Sequence, residues 1–157
     1  AGLPNAAIML GRWQRFRFMA RDRLISVLAG MDAVPQEVTS EAEMLEILNE
    51  GLPVAILAQM KQRGMLDESE LRAFIPMRTL ARRKVKLNAE ESDLIARIAR
   101  VDDFAIDVFG DTSRARKWLR TPNRALNGHV PFELLKTDYG ARMVESILGR
   151  IAHGVFS

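Results

Sequence analysis

"NAEESDLIARIARVDDFAIDVFG", residues 88–110, is the stretch that decides the fold. Its apolar residues recur every three or four positions, which is the period of an α-helix that turns one face to a core. These residues are Leu94, Ile98, Val101, Ala105 and Val108. Asn88 and Glu91 have the spacing of a capping box at a helix start, and Gly110 is a helix stop. The pattern therefore predicts one long amphipathic helix that ends at Phe109.

Helical patterns also cover most of the remaining chain. Ser40 with Glu43, and Asp67 with Glu70, repeat the capping box. Runs with the period of two that is typical of strands are missing, and good helix formers such as Ala, Leu, Arg, Glu and Met dominate. We therefore predict an all-α protein. Further helices are expected after Pro53, from Glu68 to Pro76, over 78–84, 112–120, 123–127 and 131–136, and from Asp138 to about His153.

The composition excludes several kinds of site. The chain has 157 residues, of which 48% are hydrophobic and 27% charged, as in ordinary globular proteins. It contains no cysteine, which excludes disulfides, cysteine-ligated zinc and a thiol nucleophile. The two histidines have no carboxylates at ligand spacing, so we expect neither a metal site nor a cofactor. No run of eighteen apolar residues predicts a transmembrane helix, and we expect a cytoplasmic protein with no membrane contact.

Residues 1–38 form a predicted N-terminal helical region that is basic and aromatic. Its helical segment, 8–30, contains Trp13, Phe16 and Phe18. A basic amphipathic helix can lie in a membrane surface. A helix that packs within the protein or forms a dimer is the interpretation we favour. The "GMDAVPQEV" stretch that follows, with breakers Gly30 and Pro35, predicts a linker.

The basic stretch 78–86, "RTLARRKVK", holds five basic residues and no acid. Together with "DESELRAFI" before it, the stretch has the form of a helix-turn-helix: a capped helix, a tight break at Pro76 and a short basic helix. In that motif the start of the second helix meets base edges in the major groove. Arg78 and Thr79 are therefore predicted to contact bases or phosphates. We expect affinity for the phosphate backbone of DNA from Arg82, Arg83, Lys84 and Lys86. The spacing alone leaves a solvated basic helix equally open.

The segment 141–157, "ARMVESILGRIAHGVFS", carries a second apolar stripe. Its members are Ala141, Val144, Leu148, Ile151 and Val155. Gly154 stops the helix and leaves Val155 and Phe156 beyond it. Apolar residues in such a place either pack back onto the core or enter a partner.

A further set of residues follows a fixed order and spacing through 109–157. The set is Phe109-Gly110, Trp118-Leu119, Pro122-Asn123, Leu126, Gly128, Pro131, Leu134-Leu135, Thr137, Gly140-Ala141-Arg142, Val144 and "LGRIAHG" at 148–154. This pattern resembles the antitoxins of the MbcA/ParS/Xre group, the cognate partners of RES-domain toxins. "ELRAFIPMRTLARRK" and "AEESDLIARIARV" look like the Xre-homology helix-turn-helix of the same group, so the resemblance covers roughly residues 40–157.

The resemblance implies a type II antitoxin with two tasks and no catalytic activity. Residues 39–109 would form an Xre-like helix-turn-helix domain that binds the promoter of its own operon. Residues 110–157 would form a toxin-binding domain that places its end at the mouth of the active site of a RES toxin, an enzyme that consumes NAD. The expected toxin contacts are Arg150, Ile151, His153, Gly154, Val155, Phe156 and Ser157. A homodimer within a larger toxin–antitoxin complex is expected, with residues 1–38 as the dimer surface.

Three points bear on the antitoxin interpretation and on its alternatives. Xre-like recognition helices often begin with a Ser or Thr cap, whereas Pro76 stands at that place here, which affects how the helix would dock on DNA. A helix-turn-helix regulator without a toxin partner is the second hypothesis, but such a protein has no need for apolar residues beyond Gly154. An enzyme is disfavoured, because neither a nucleophile with a matching base nor a phosphate-binding loop occurs.

Overall fold

The computed structural model describes residues 24–35, 38, 40–83 and 85–154. In these ranges the secondary structure is helical apart from turns and a single bridge between Pro53 and Lys86, so the predicted all-α fold is confirmed. The segment with Trp13, Phe16 and Phe18 lies outside the described residues, as do Lys84, Val155, Phe156 and Ser157. The roles predicted for them remain predictions.

The helices follow one another through short connections. The described part of α1 covers residues 24–29. It is followed by α2 (Glu41–Glu50), α3 (Ile56–Gln62), α4 (Glu68–Phe74), α5 (Met77–Arg82), α6 (Ala89–Phe109), α7 (Thr112–Leu119), the 3-10 turn η1 (Arg124–Leu126), α8 (Pro131–Leu134) and α9 (Asp138–Ala152). The long helix ends where the sequence predicts, and α9 ends one residue before His153, which is its C-cap.

The three predicted capping boxes are all formed. Ser40, Asp67 and Asn88 each accept a hydrogen bond from a backbone N–H three residues on, and the carboxylate at that position accepts one in return. At α6, both bonds between Asn88 and Glu91 measure 2.8 Å. Because each N-cap stabilises its helix by about 1 kcal/mol, these boxes fix where α2, α4 and α6 begin. Helix α5 lacks such a bond, since its N-cap is Pro76.

Helix α6 is the element around which the others pack. It contacts α2, α7 and α9. Four of the five residues in its predicted apolar stripe are buried, and Val108 is half-buried. Buried side chains of α2, α3, α4, α7, α8 and α9 join them in one hydrophobic cluster. The basic helix α5 and the terminal helix α9 are therefore held by the same core.

The predicted linker is wrong for residues 31–34, whose three apolar side chains pack into this core. Met31, Ala33 and Val34 are buried. The Gln59 side chain donates to the Met31 carbonyl (2.9 Å), and Arg63 donates to the Gly30 carbonyl (2.6 Å). The breakers Gly30 and Pro35 end the helical pattern, but three apolar side chains between them favour burial over exposure to water.

The start of α9 approaches the end of α8 closely at Gly140. A Cβ atom built on Gly140 would lie only 2.0 Å from the carbonyl oxygen of Leu134, and this helix start has no room for it. The hydroxyl of Thr137 caps α9 by accepting from the Gly140 N–H at 3.0 Å. Glycine at 140 therefore sets the contact between α8 and α9.

Gly140→Ala should destabilise the protein by about 1–3 kcal/mol, because the added methyl group overpacks this contact. Helix propensity alone predicts the opposite sign, since alanine is favoured over glycine by about 1 kcal/mol within a helix. Urea unfolding followed by circular dichroism measures the difference. Ser146→Ala, later in the same helix, is the control and should leave stability unchanged or slightly raised. A stabilised Gly140→Ala variant would contradict the close approach.

Candidate functional site

Helices α4 and α5 are joined by only two residues. Ile75 and Pro76 are extended, with φ/ψ of −127°/114° and −57°/139°. Ile75 is buried, and the Pro76 carbonyl accepts the N–H groups of Thr79 (2.9 Å) and Leu80 (3.1 Å). The break is as tight as the sequence predicts, and it fixes the direction in which α5 leaves α4.

Helix α5 lies on the protein surface. None of its residues is fully buried, and Leu80 is its half-buried contact with the core. Arg78 and Arg82 are exposed and lie four residues apart, so they share one face of the helix, whereas Thr79 is half-buried. These two arginines can reach a polyanion without any rearrangement of the fold.

Arg83 differs from the other predicted DNA contacts because it has a structural partner. Its Nε atom lies 3.3 and 3.1 Å from the two carboxylate oxygens of Glu91. The Glu91 side chain is buried and also completes the cap of α6. Arg83 therefore ties the end of α5 to the start of α6, and replacing it would alter the fold as well as any contact with DNA.

The segment after α5 is held by backbone hydrogen bonds. The N–H of Val54 donates to the Val85 carbonyl (2.9 Å), and the N–H of Leu87 donates to the Leu52 carbonyl (2.8 Å). Lys86 pairs with Pro53 between these bonds and is exposed. Pro53 thus serves this bridge instead of the first turn of α3, which begins at Ile56.

The terminal helix α9 presents one face to the core and the other to solvent. Ala141, Val144 and Leu148 are buried as predicted, and Ile151 is half-buried against the core. Arg150 and His153 are exposed. Gly154 has φ +65°, the left-handed conformation that commonly ends a helix. The described residues among the predicted toxin contacts therefore lie together at the C-terminal end of α9.

A buried ion pair joins α6 to α7. The Arg116 guanidinium contacts both carboxylate oxygens of Asp102, from Nε at 3.1 Å and from Nη2 at 3.0 Å. The Asp102 side chain is only 1% exposed. The Nη1 atom of Arg116 donates to the carbonyl of Arg63, at the end of α3, at 2.7 Å. One side chain therefore links three helices.

Arg120, one turn later and the C-cap of α7, makes a similar link to α4. It contacts Glu70 from Nε at 2.6 Å and from Nη2 at 3.1 Å, and Glu70 is the residue that completes the α4 capping box. The guanidinium also lies 4.4 Å from the ring centroid of Phe132, a cation–π contact. The Phe132 ring meets Phe74, at the end of α4, edge to face at 5.5 Å. The helix that precedes α5 is thus held by α7 and α8.

These links were not predicted from the sequence. The sequence does contain an indication of the ion pair at Asp102. Asp102 follows Ile98 by four residues and precedes Ala105 by three, so it lies within the apolar stripe of α6. A charged residue at such a position indicates a buried ion pair, since an unpaired buried charge is costly. The sequence does not indicate which arginine is the partner.

A cleft of about 520 Å³ lies between α3, α4 and α7. Its charged lining residues include the ion pair of Lys61 and Glu68 (2.8 Å), Arg116 and Arg120. The hydrogen bond and positive charge of Lys61 lower the pKa of the Glu68 carboxyl. The cleft is therefore crossed by ion pairs that connect helices.

In the part of the chain that the structure describes, none of the helices has the length and hydropathy needed to cross a membrane. Among the same residues, no cluster of histidine, aspartate and glutamate is arranged to hold a metal ion.

Residues 104–154, from the last turns of α6 through α9, match the family described as the C-terminal toxin-binding domain of Xre/MbcA/ParS antitoxins. A protein named Antitoxin Xre from Photorhabdus laumondii is 40% identical over 117 residues, which cover 71% of this chain and 79% of that protein. The chain belongs to the Xre antitoxin family. Two further proteins of the same name support this assignment. The one from Yersinia enterocolitica is 38% identical over 120 residues, which cover 73% of this chain and 81% of that protein. The one from Pseudomonas putida is 33% identical over 121 residues, which cover 75% of this chain and 76% of that protein.

This membership confirms the resemblance drawn from the sequence. It assigns the chain the role of an antitoxin in a toxin–antitoxin system, with a cognate toxin as its partner. Antitoxins are a non-enzymatic class, in agreement with the prediction that this Xre antitoxin is not an enzyme. The matched region contains α7 to α9 and therefore includes both Arg116 and the exposed end of α9.

Arg116→Met should destabilise the protein by about 3–5 kcal/mol, because it leaves the Asp102 carboxylate buried without its partner. Lys117→Met, on the exposed side of the same helix, is the matched control and should change stability by no more than about 0.5 kcal/mol. A second variant that combines Arg116→Met with Asp102→Leu should regain most of the loss. Urea unfolding curves measure all three, and a single variant as stable as the control would contradict the importance of the pair.

Proposed function

We propose that this antitoxin inhibits a RES-domain, NAD-consuming toxin with the C-terminal end of α9 and regulates its own promoter through α5. The main support for toxin inhibition is the match of residues 104–154 to a toxin-binding domain. In this chain the end of α9, which lies in that region, is exposed. The exposed arginines of α5 support the DNA half. Both tasks belong in the cytoplasm, where the operon and NAD are found.

The proposed inhibition is steric. Arg150 and His153 flank the end of α9, and Gly154 turns the chain out of the helix. This turn would direct Val155, Phe156 and Ser157 into the mouth of the toxin's active site. An aromatic ring such as that of Phe156 fills an apolar pocket, and Arg150 would meet polar or acidic groups at its rim. Ile151, half-buried against the core, would anchor the end of the helix.

The proposed DNA contact uses the outer face of α5. Arg78 and Arg82 would face the major groove or its phosphates, with Thr79 beside them. Lys84 and Lys86 would contact the phosphate backbone of the DNA. Helix-turn-helix proteins usually read paired half-sites as dimers, so we propose a homodimer. Its contact would be the part of residues 1–38 that contains Trp13, Phe16 and Phe18, since Met31, Ala33 and Val34 are buried in the core of this chain. In this proposal, residues 39–109 bind DNA and residues 110–157 bind the toxin. Both regions contribute side chains to one hydrophobic core.

A regulator that acts on DNA without a toxin is the second candidate. The exposed basic face of α5 favours it, because that face is available whether or not a toxin is bound. Co-expression with the product of the neighbouring gene separates the two candidates. A stable complex favours the antitoxin that occludes a toxin, and absence of a complex favours the regulator.

Removal of residues 155–157 should raise the antitoxin concentration needed to inhibit the toxin at least tenfold. Stability should be unchanged, because these residues follow the C-cap of α9. The assay is NAD consumption by the RES-domain protein of the neighbouring gene. A variant of equal length, with Val155→Ser and Phe156→Ser, should behave like the truncation. Full inhibition by the truncated chain at wild-type concentrations would exclude the plug.

Arg78→Ala combined with Arg82→Ala should weaken binding to the operon's promoter fragment at least tenfold. The slope of log affinity against log salt should fall by about 2, since each lost phosphate contact accounts for about 0.9. Fluorescence anisotropy at several salt concentrations measures both. Arg114→Ala with Lys117→Ala removes the same charge from exposed residues of α7 and is the control. An unchanged slope in the α5 variant would remove these arginines from the DNA contact.

A further inference from the structure

Two of the large apolar side chains exposed in the described part of the chain lie side by side on α9. The exposed set is Leu45, Met77, Val85, Tyr139 and Met143. Tyr139 is 76% and Met143 36% exposed, and the two are one helical turn apart. Single exposed apolar residues are common, whereas a group on one face marks an interaction site.

The two residues belong to a longer row along α9, in which Arg150 is also exposed and Ser146 is half-buried. Tyr139, Met143, Ser146 and Arg150 are spaced by four, three and four positions, which places them on one face of a helix. We call this row the outer stripe. It runs for about 16 Å along the helix axis, at about 1.5 Å per residue. Ala141, Val144 and Leu148 occupy the opposite, buried face.

We propose that the outer stripe is a docking surface for the toxin, distinct in role from the end of α9: the stripe supplies affinity, and the end supplies inhibition. This inference rests on the proposed function. The partner is a toxin surface with an apolar depression that receives Tyr139 and Met143 and with acidic groups that face Arg150. Arg142, which pairs with Asp138 at 2.8 Å beside Tyr139, lies at the rim of this contact.

The outer stripe is continuous with the predicted toxin contacts, which favours the toxin as its partner. Arg150 is the last member of the outer stripe and the first of the predicted toxin contacts at 150–157. The stripe also lies wholly within the region that matches a toxin-binding domain. A toxin held at the end of α9 therefore stands next to the stripe.

The number of contacts predicted at the end of α9 is small for a stable interface. The contacts predicted at 150–157 are seven residues, whereas a stable interface takes about 20–30 residues and about 800 Å² from each partner. The end of α9 alone falls short of this requirement, and more surface must be engaged. Tyrosine, methionine and arginine, three of the four residues of the outer stripe, are the types enriched in interfaces.

Charge favours a toxin over a second copy of this chain. The four residues of the outer stripe include Arg150 and no carboxylate, and the adjacent Asp138 already pairs with Arg142. Glu145, on the neighbouring side of α9, pairs with Arg100 of α6 at 2.6 Å. Two stripes brought together would thus leave each Arg150 without an opposite charge, whereas an acidic partner surface supplies one.

The test replaces the apolar members of the stripe. Tyr139→Ala combined with Met143→Ala should weaken the affinity for the RES-domain protein of the neighbouring gene at least thirtyfold, as measured by isothermal titration calorimetry with the full chain. Leu45→Ala removes an apolar residue of similar exposure from α2 and should change the Kd less than twofold. Because all three side chains are exposed, the thermal midpoints should stay within about 2 °C of wild type.

A second readout separates affinity from inhibition. At saturating concentration the double variant should still suppress NAD consumption completely, since residues 150–157 are intact. A double variant with the Kd of wild type would overturn the inference and leave the proposed function standing. A change confined to self-association in light scattering would assign the stripe to a second copy and overturn it too. Failure of the wild-type chain to bind the toxin would instead overturn the proposed function, and this inference with it.

Discussion

The buried carboxylate of Asp102 is the constraint on which the arrangement of the helices depends. In the interior it requires a partner, and Arg116 meets it with two parallel hydrogen bonds. This pairing fixes α7 against α6, and Arg116 then reaches the end of α3 with its remaining nitrogen. Arg120 follows one turn later and is thereby placed on Glu70, at the start of α4. The buried pair thus holds the helix before α5 and the helices before α9 in one frame.

This frame separates the two proposed activities without dividing the core. Helix α5 and helix α9 present different exposed faces, and neither proposed surface takes a side chain from the other. Arg78 and Arg82 are exposed and available for the proposed DNA contact, whereas Arg83 is bound to Glu91 and stabilises the fold. In the same way, the outer face of α9 is available to a partner because Ala141, Val144 and Leu148 hold its inner face. Substitutions on one surface should therefore leave the other intact.

The sequence predicted the local features of the fold and missed its long-range links. Periodicity located α6 and α9 to within a residue, and a capping box marked the start of α6, because both signals depend on neighbours three or four positions away. The pairs Arg116–Asp102 and Arg120–Glu70 join residues 14 and 50 positions apart, and no periodic pattern encodes them. The breakers Gly30 and Pro35 predict a linker, but the apolar residues at 31–34 are buried, and this burial depends on α3. Counting charges along 78–86 identified the basic helix but could not single out Arg83 as a structural residue.

The measurement that tests the proposed function most directly is a titration of the wild-type chain into the RES-domain toxin proposed as its partner. NAD consumption is the readout. If the antitoxin occludes the active site, consumption should fall in proportion to added chain and reach zero at a fixed molar ratio. That ratio should equal the composition of the complex found by light scattering. Undiminished consumption of NAD with the chain in large excess would contradict the account.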